Sequence, residues 1–155
     1  MILVGQYDSP FVRRVAVTLN RYGIGFERRV LSVFADFEAV LALNPLGKVP
    51  ILELDDGMRL VDSRAILDHL DEQARPEGRL EARAPSPWFF PDGLTRADMT
   101  CAIAVTYLQE KSREIVNPGR WPLLMAHCQR CEARPEFARA AYSAAEASRS
   151  GWRRS

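Results

Sequence analysis

The chain has 155 residues, 47% of them hydrophobic and 26% charged, which is the composition of a globular chain with room for one ordinary domain or two small ones. Its 21 Lys and Arg nearly balance 20 Asp and Glu, a formal net charge of +1, so composition offers no electrostatic footprint for nucleic acid. No apolar run approaches the roughly 20 residues of a membrane span, "MILVGQYDSP" turns polar too early for a signal peptide, and Cys101, Cys128 and Cys131 are too few for a disulfide framework, which points to a reducing, cytoplasmic setting.

The first element is a short apolar strand in "ILVGQY", Ile2 to Tyr7. Val12, Val15, Ala16 and Leu19 follow at helical spacing, and Gly23 is placed to end that helix in a left-handed cap. "FERRVLSV", Phe26 to Val33, reads as a second strand, and strand–helix–strand implies a parallel pair joined by a right-handed crossover. "DFEAVLAL" supplies a short helix that Asn44-Pro45 stops, because the residue before proline is steered away from helical geometry. "VPILEL", the tight turn "DDG" and "MRLV" predict a hairpin, and a third helix opens near Ser63 with Ile66, Leu67 and Leu70 on one face. The order βαβ, short helix, ββα is met most simply by an α/β, thioredoxin-like fold.

The second half reads as helical. Leu94-Thr95-Arg96-Ala97-Asp98-Met99 places Thr at a cap, Asp three residues on, and Leu94 and Met99 as a hydrophobic staple. Helices are predicted from there, from Trp121 to about Ala133, and from about Pro135 to Ala147. Between Leu80 and Leu94, "RLEARAPSPWFFPDG" carries Pro85, Pro87 and Pro91 and no amphipathic run, so no long helix fits there.

Three local motifs then stand out: "SPFVRRV" at the first strand–helix junction, "NPLGKVPIL" before the hairpin, and "VDSRAI" opening the third helix. In this order and spacing they resemble the N-terminal domain of the soluble glutathione transferases of the serine-type bacterial and plant classes. "DGLTRADMTCAIA" and "GRWPLLMAHCQRCEARPEF" resemble helices of that family's C-terminal domain. The resemblance implies a thioredoxin-like glutathione-binding domain over 1–78, a Pro-rich linker over 79–94, a shortened all-α domain over 95–147 and a frayed tail over 148–155. It departs from the family at the long helix pair that should follow the linker, which lines the second-substrate pocket and forms much of the dimer contact. A homodimer is implied, with much of its usual interface missing.

The resemblance makes Ser9 the catalytic residue, with glutathione as co-substrate, a small electrophile as partner and no metal. A serine before Pro10 is also an ordinary N-cap followed by a favoured first-turn proline, and the two roles are compatible. A helix N-terminus favours an anion, and a hydroxyl there can donate to a thiolate. Lowering a thiol pKa of ~8.5 by ~2 units takes about 3 kcal/mol. Tyr7 ranks second for that role, since some classes use a nearby tyrosine. Glutathione contacts are implied for Phe11, Lys48, Val49, Pro50, Asp62 and Ser63. The family's proline before the hairpin is cis, and the backbone of the residue before it, here Val49, pairs with the cysteinyl unit like an added strand; the alternative is a loop proline starting an edge strand. Ser63 would take the γ-glutamyl carboxylate and Asp62 its ammonium, although the family more often has Glu at that place, and both also suit a helix start. Lys48 could reach the glycyl carboxylate.

Ser9-Pro10-Phe11-Val12 stands where related redox enzymes carry Cys-x-x-Cys, which disfavours dithiol exchange. The Cys-x-x-Cys in "CQRC" reads as two small apolar core residues, and His69 and His127 as structural. The alternative to a transferase is a catalytically weak binding or interaction protein built on the same fold.

Overall fold

The computed structural model describes residues 1–73, 88–89, 93–111, 119, 121–143 and 145–146. Strand β1 (Ile2–Val4) leads into helix α1 (Pro10–Tyr22), then β2 (Glu27–Arg29), α2 (Phe37–Leu43), β3 (Ile51–Glu53), β4 (Arg59–Val61) and α3 (Ser63–Gln73). The helical part contains α4 (Arg96–Lys111), α5 (Pro122–Glu132) and α6 (Pro135–Ala138).

The four strands form one mixed sheet in the order β2-β1-β3-β4. β1 and β2 are parallel, as a βαβ unit demands, with Leu3 opposite Arg28. β3 runs antiparallel to β1, placing Val4 opposite Ile51, and closes the predicted hairpin with β4. β3 is therefore an interior strand, and Pro50 stands at the entrance to the middle of the sheet rather than on an edge.

The strands are shorter than the apolar runs predicted. After Val4 comes Gly5 at φ +129, where a Cβ would lie 2.6 Å from Val12 Cγ2 and 3.1 Å from Val49 Cβ. Glycine alone lets β1 pass that close to α1 and to the loop before β3.

α1 organises the molecule. It packs on α3, α4 and α6 as well as on β1, and Val12, Val15, Ala16, Val17 and Leu19 are all fully buried. Each such Val or Leu contributes about 1.5–3 kcal/mol of apolar burial as an upper figure. Gly23 ends the helix at φ 68 as the spacing predicts. One cluster runs from Leu3 and Leu52 through Ile66, Leu67 and Leu70 to Ala102, Ile103, Cys131 and Phe137, so the sheet and the helical part share a core.

The start of α4 follows the predicted motif in part. Asp98 reaches back to the Thr95 N–H at 2.8 Å, but the Thr95 hydroxyl donates to the same carboxylate at 2.6 Å. Leu94 and Met99 are both buried. Cys128 and Cys131 lie in the core, and burial pushes their thiols up to about 11 and about 12. His127 is buried against Phe89, ring on ring at 4.3 Å, with its Nε2 3.6 Å from Asp98 Oδ1.

The predicted helix from Pro135 to Ala147 is corrected: α6 stops at Ala138. Glu146 accepts from the Tyr7 N–H at 2.6 Å and from Arg28 at 2.7 Å, and its carbonyl accepts from Gln6 Nε2 at 2.6 Å. Those contacts turn the chain back across the end of β1, and tertiary pairing overrides the propensity of an alanine-rich run. The prediction of no long helix over 80–94 falls mostly outside the described residues, as does the tail.

Candidate functional site

A cavity of about 870 Å³ opens where the N-terminus of α1, the loop before β3 and the N-terminus of α3 converge. Its first wall is Ser9. The turn after β1 is closed by the Ser9 N–H donating to Gln6 C=O at 3.2 Å, and Ser9 then caps α1 with extended backbone angles. Its Oγ accepts from the Val12 N–H at 3.5 Å, the outer limit of a hydrogen bond. The hydroxyl is thus held at the helix mouth while its own proton stays available. Phe11, in the first turn, is 57% exposed and lines the same space.

The second wall is the loop that carries Lys48, Val49 and Pro50. The Val49–Pro50 bond is cis. Asn44, buried at the end of α2, holds this loop: its Nδ2 donates to Lys48 C=O at 2.9 Å and its Oδ1 accepts from the Leu46 N–H at 3.1 Å. Lys48 itself is exposed.

Asp62 and Ser63 form the third wall. Asp62 sits at φ 71, a left-handed conformation that Asp tolerates better than most residues. Its Oδ1 accepts from the Arg64 N–H at 2.8 Å and the Ala65 N–H at 3.3 Å, capping α3. Those two bonds hold its carboxyl below the usual carboxylate range, Arg64 contributing most. Oδ2 makes no bond among the described residues. Ser63, the first residue of α3, is buried. Two helix N-termini thus face one cavity, an arrangement that favours a ligand carrying negative charge at two points.

Seven of the eight residues singled out in the sequence therefore meet in one cavity. Tyr7 does not line it. Its ring is 1% exposed, the Arg28 guanidinium carbon lies 3.5 Å from the ring centre, and the hydroxyl is buried without a hydrogen-bond partner among the described residues. Burial raises its pKa, opposed by Arg28. Sequence reasoning missed Asn44 as the loop's anchor, and also Arg14, Phe34, Leu46, Tyr107 and Lys111 on the walls. The Asn-Pro pair signalled only a helix stop, and no local pattern shows that the end of α4 reaches this space. Among the described residues no group of three or more His, Cys, Asp or Glu could hold a metal ion, and no helix is long and apolar enough to cross a membrane.

A thioredoxin-like sheet followed by a helical part, with a cis-proline loop and two helix mouths around one cavity, defines the class of the fold. Residues 3–78 match the family model described as "Glutathione S-transferase, N-terminal domain". Over those residues the chain belongs to the glutathione S-transferase family. It is 43% identical over 72 residues to the uncharacterized GST-like protein YibF of Escherichia coli, a match covering 46% of this chain and 35% of that protein. It is 36% identical over 90 residues to glutathione S-transferase F13 of Arabidopsis thaliana, covering 56% and 41% respectively. The chain thus spans between a third and somewhat over two fifths of the length of these curated relatives. Among solved structures, a glutathione S-transferase of Methylobacterium radiotolerans in complex with glutathione sulfonate aligns with TM-score 0.77 at 20% identity, over 92% of this chain and 95% of that one. A glutathione S-transferase of Methylobacillus flagellatus with GSH bound gives 0.75 at 22% identity, over 92% and 99%. At those identities the likeness is one of fold.

Proposed function

We propose that the cavity binds glutathione and that Ser9 holds its sulfur as a thiolate for conjugation to a small electrophile. The observation that carries this reading is the convergence of Ser9, Val49–Pro50 and Asp62–Ser63 on one cavity. The extended tripeptide would lie along the backbone of Val49, its γ-glutamyl carboxylate on Ser63 and the mouth of α3, its ammonium on the free Oδ2 of Asp62, and its glycyl carboxylate near Lys48. Its thiol proton leaves to solvent, and the Ser9 hydroxyl and the end of α1 stabilise the charge left on sulfur. The thiolate then attacks the electrophilic carbon; a carbon–sulfur bond forms as the leaving group departs with its electron pair.

This reading includes residues 1–78 as the glutathione-binding domain, 79–94 as a linker, 95–147 as a shortened helical domain and 148–155 as a tail, in a cytoplasmic protein that self-associates as a homodimer. Detoxification of electrophiles is the corresponding role. The test is titration of the bound glutathione thiol by its ultraviolet absorbance. Wild type should show an ionised thiol at neutral pH, and Ser9→Ala should bind the tripeptide with the thiol as protonated as in water. Failure of wild type to bind glutathione, or to shift its thiol, overturns the reading.

One observation favours a second reading, a glutathione-binding module with weak turnover. Among the described residues, only Tyr107 and Lys111 come to the cavity from the C-terminal helices. Retention on immobilised glutathione without turnover of a broad electrophile would select it.

A further inference from the structure

The "RR" of "SPFVRRV" divides into two unlike arginines. Arg13 is buried and spent: it pairs with Glu132 and donates Nε to Ala140 C=O at 3.1 Å. Arg14, the next residue, points away from that network. It lines the cavity, and its guanidinium carbon lies 6.0 Å from the centre of the Phe11 ring, three residues earlier on the same helix face. Its Nε is sealed from solvent and has no hydrogen-bond partner among the described residues.

The other buried or half-buried arginines among the described residues, Arg13, Arg29, Arg96 and Arg134, each face a carboxylate in an ion pair. Arg14 forms none. Burial and the nearby Arg96 lower its pKa, and Asp62 and Asp68 offset only part of that. A half-buried cation whose nearby carboxylates lie beyond ion-pair reach is costly in the free protein, and a ligand anion relieves the cost. With Nε shut off, the nitrogens left to a ligand are the terminal pair, the fork that matches a carboxylate. Phe11 lies beside that fork, and Phe34 and Leu46, strongly exposed like it, add apolar surface to the same cavity.

We propose that Arg14 binds a carboxylate on the electrophilic co-substrate, so that the site selects electrophiles with an apolar body and an acidic end. The proposal rests on the glutathione reading above. Glutathione's own carboxylates are not the intended anion, because Ser63 with the mouth of α3, and Lys48, already stand ready for them.

The test is calorimetric and needs no turnover. The probes are glutathione, its dinitrophenyl conjugate, and the same conjugate bearing a ring carboxylate, each titrated into wild type, Arg14→Met and Arg14→Lys. Wild type should bind the carboxylated conjugate about tenfold more tightly than the neutral one, the effect of one charge-assisted contact. Arg14→Met should bind both alike, Arg14→Lys should keep part of the preference, and added salt should shrink it in wild type. Glutathione affinity should be the same in all three proteins. Equal binding of the two conjugates by wild type, or a preference that survives in Arg14→Met, overturns the assignment while leaving the glutathione reading intact. Loss of glutathione affinity in Arg14→Met reassigns the residue to the tripeptide and also overturns it. Failure of wild type to bind glutathione removes both readings together.

Discussion

Arg13 on α1 and Glu132 at the end of α5 form a two-armed ion pair: Arg13 Nη1 donates to Glu132 Oε1 at 2.9 Å, and Nη2 engages Oε2. The Thr106 hydroxyl donates to the same carboxylate at 2.9 Å from α4. Three helices from both halves of the chain therefore meet on one carboxylate.

Removing one partner of such a pair leaves the other charge uncompensated. Arg13→Ala should destabilise the protein by about 2–4 kcal/mol, toward the lower side for a buried pair because Glu132 retains some contact with solvent. Arg13→Lys should recover little, since an ammonium cannot reproduce the fork. Chemical denaturation read by circular dichroism checks both, and a loss below about 0.5 kcal/mol for the alanine variant would show that the pair does not tie the halves together.

Asp98 supplies a second long-range tie. It is fully buried, and the Phe89 N–H, Thr95 N–H and Thr95 hydroxyl all donate to it. Burial alone would raise its pKa, but the Thr95 hydroxyl, the two N–H groups and His127 outweigh that and lower it. A depressed carboxyl pKa means that the stabilisation is complete above the unfolded value of ~3.9 and is lost as pH falls through the folded value. Unfolding stability should therefore drop steeply below about pH 4. In Asp98→Asn this acid step should be much smaller, against a lower plateau at neutral pH, and an unchanged acid limb would rule Asp98 out as its source.

Much of the N-terminal half was legible because its signals are local. Val12 to Leu19 carry a helical period, Gly23 needs only its own backbone to act as a cap, and Asp56-Gly57 turn the hairpin within four residues. Ser9, Pro50 and Ser63 were legible because each sits at an element boundary marked by its own residue type. What escaped depends on contacts distant in sequence. Glu146 shortens α6 by bonding to Gln6 and Tyr7, some 140 residues away, and no window of sequence contains both ends. Tyr7 is a second candidate only through the family's use of a nearby tyrosine, and contacts with Arg28 and Glu146, distant in sequence, draw it into the core instead. Arg13 and Arg14 are identical letters, and only packing separates the paired one from the unpaired one.

Ser9→Ala separates capping from chemistry. The cap bond is 3.5 Å long, so its loss should cost no more than about 0.5 kcal/mol, the low end of N-cap substitutions. If the hydroxyl stabilises a thiolate, the bound thiol pKa should rise by about 1–2 units from a value near 6.5, leaving roughly three- to twenty-five-fold less thiolate at pH 7. The conjugation rate should fall accordingly and its pH profile move to the alkaline side, with thermal unfolding almost unchanged. A variant as active as wild type at pH 7 would dismiss Ser9 from the reaction.

The cysteines should be silent in the native protein. Burial pushes Cys128 up to about 11 and Cys131 up to about 12, and it raises Cys101 as well, aided in each case by nearby negative groups. Because the thiolate is the nucleophile, iodoacetamide at neutral pH should leave the three unmodified until the protein is unfolded. Raised thiol pKa values also stabilise the fold below the unfolded value of ~8.5, and that contribution should fade as pH rises from there through about 11 and about 12. Mass spectrometry after brief alkylation decides the first point; rapid labelling of the folded chain would contradict the core placement.

Asp62 combines two tasks that one substitution can divide. Oδ1 caps α3 through the Arg64 and Ala65 N–H groups, while Oδ2 remains for the ammonium of the tripeptide. Asn keeps an accepting oxygen and tolerates the left-handed backbone at φ 71, so Asp62→Asn should fold and melt nearly as wild type. It removes the negative charge, and glutathione affinity should fall about two- to fivefold, as expected for an exposed charge pair. Ala loses the cap and disfavours the backbone angle, so Asp62→Ala should lose affinity and also melt measurably below wild type. The sign with pH follows from the depressed carboxyl: its charge, and with it the affinity contribution, is present above the ordinary carboxylate range and disappears as pH falls through the lowered value. Isothermal titration of glutathione against both variants, beside their melting curves, tests the division. Full affinity in Asp62→Asn would mean that the carboxylate serves the helix alone and that the ammonium is held elsewhere.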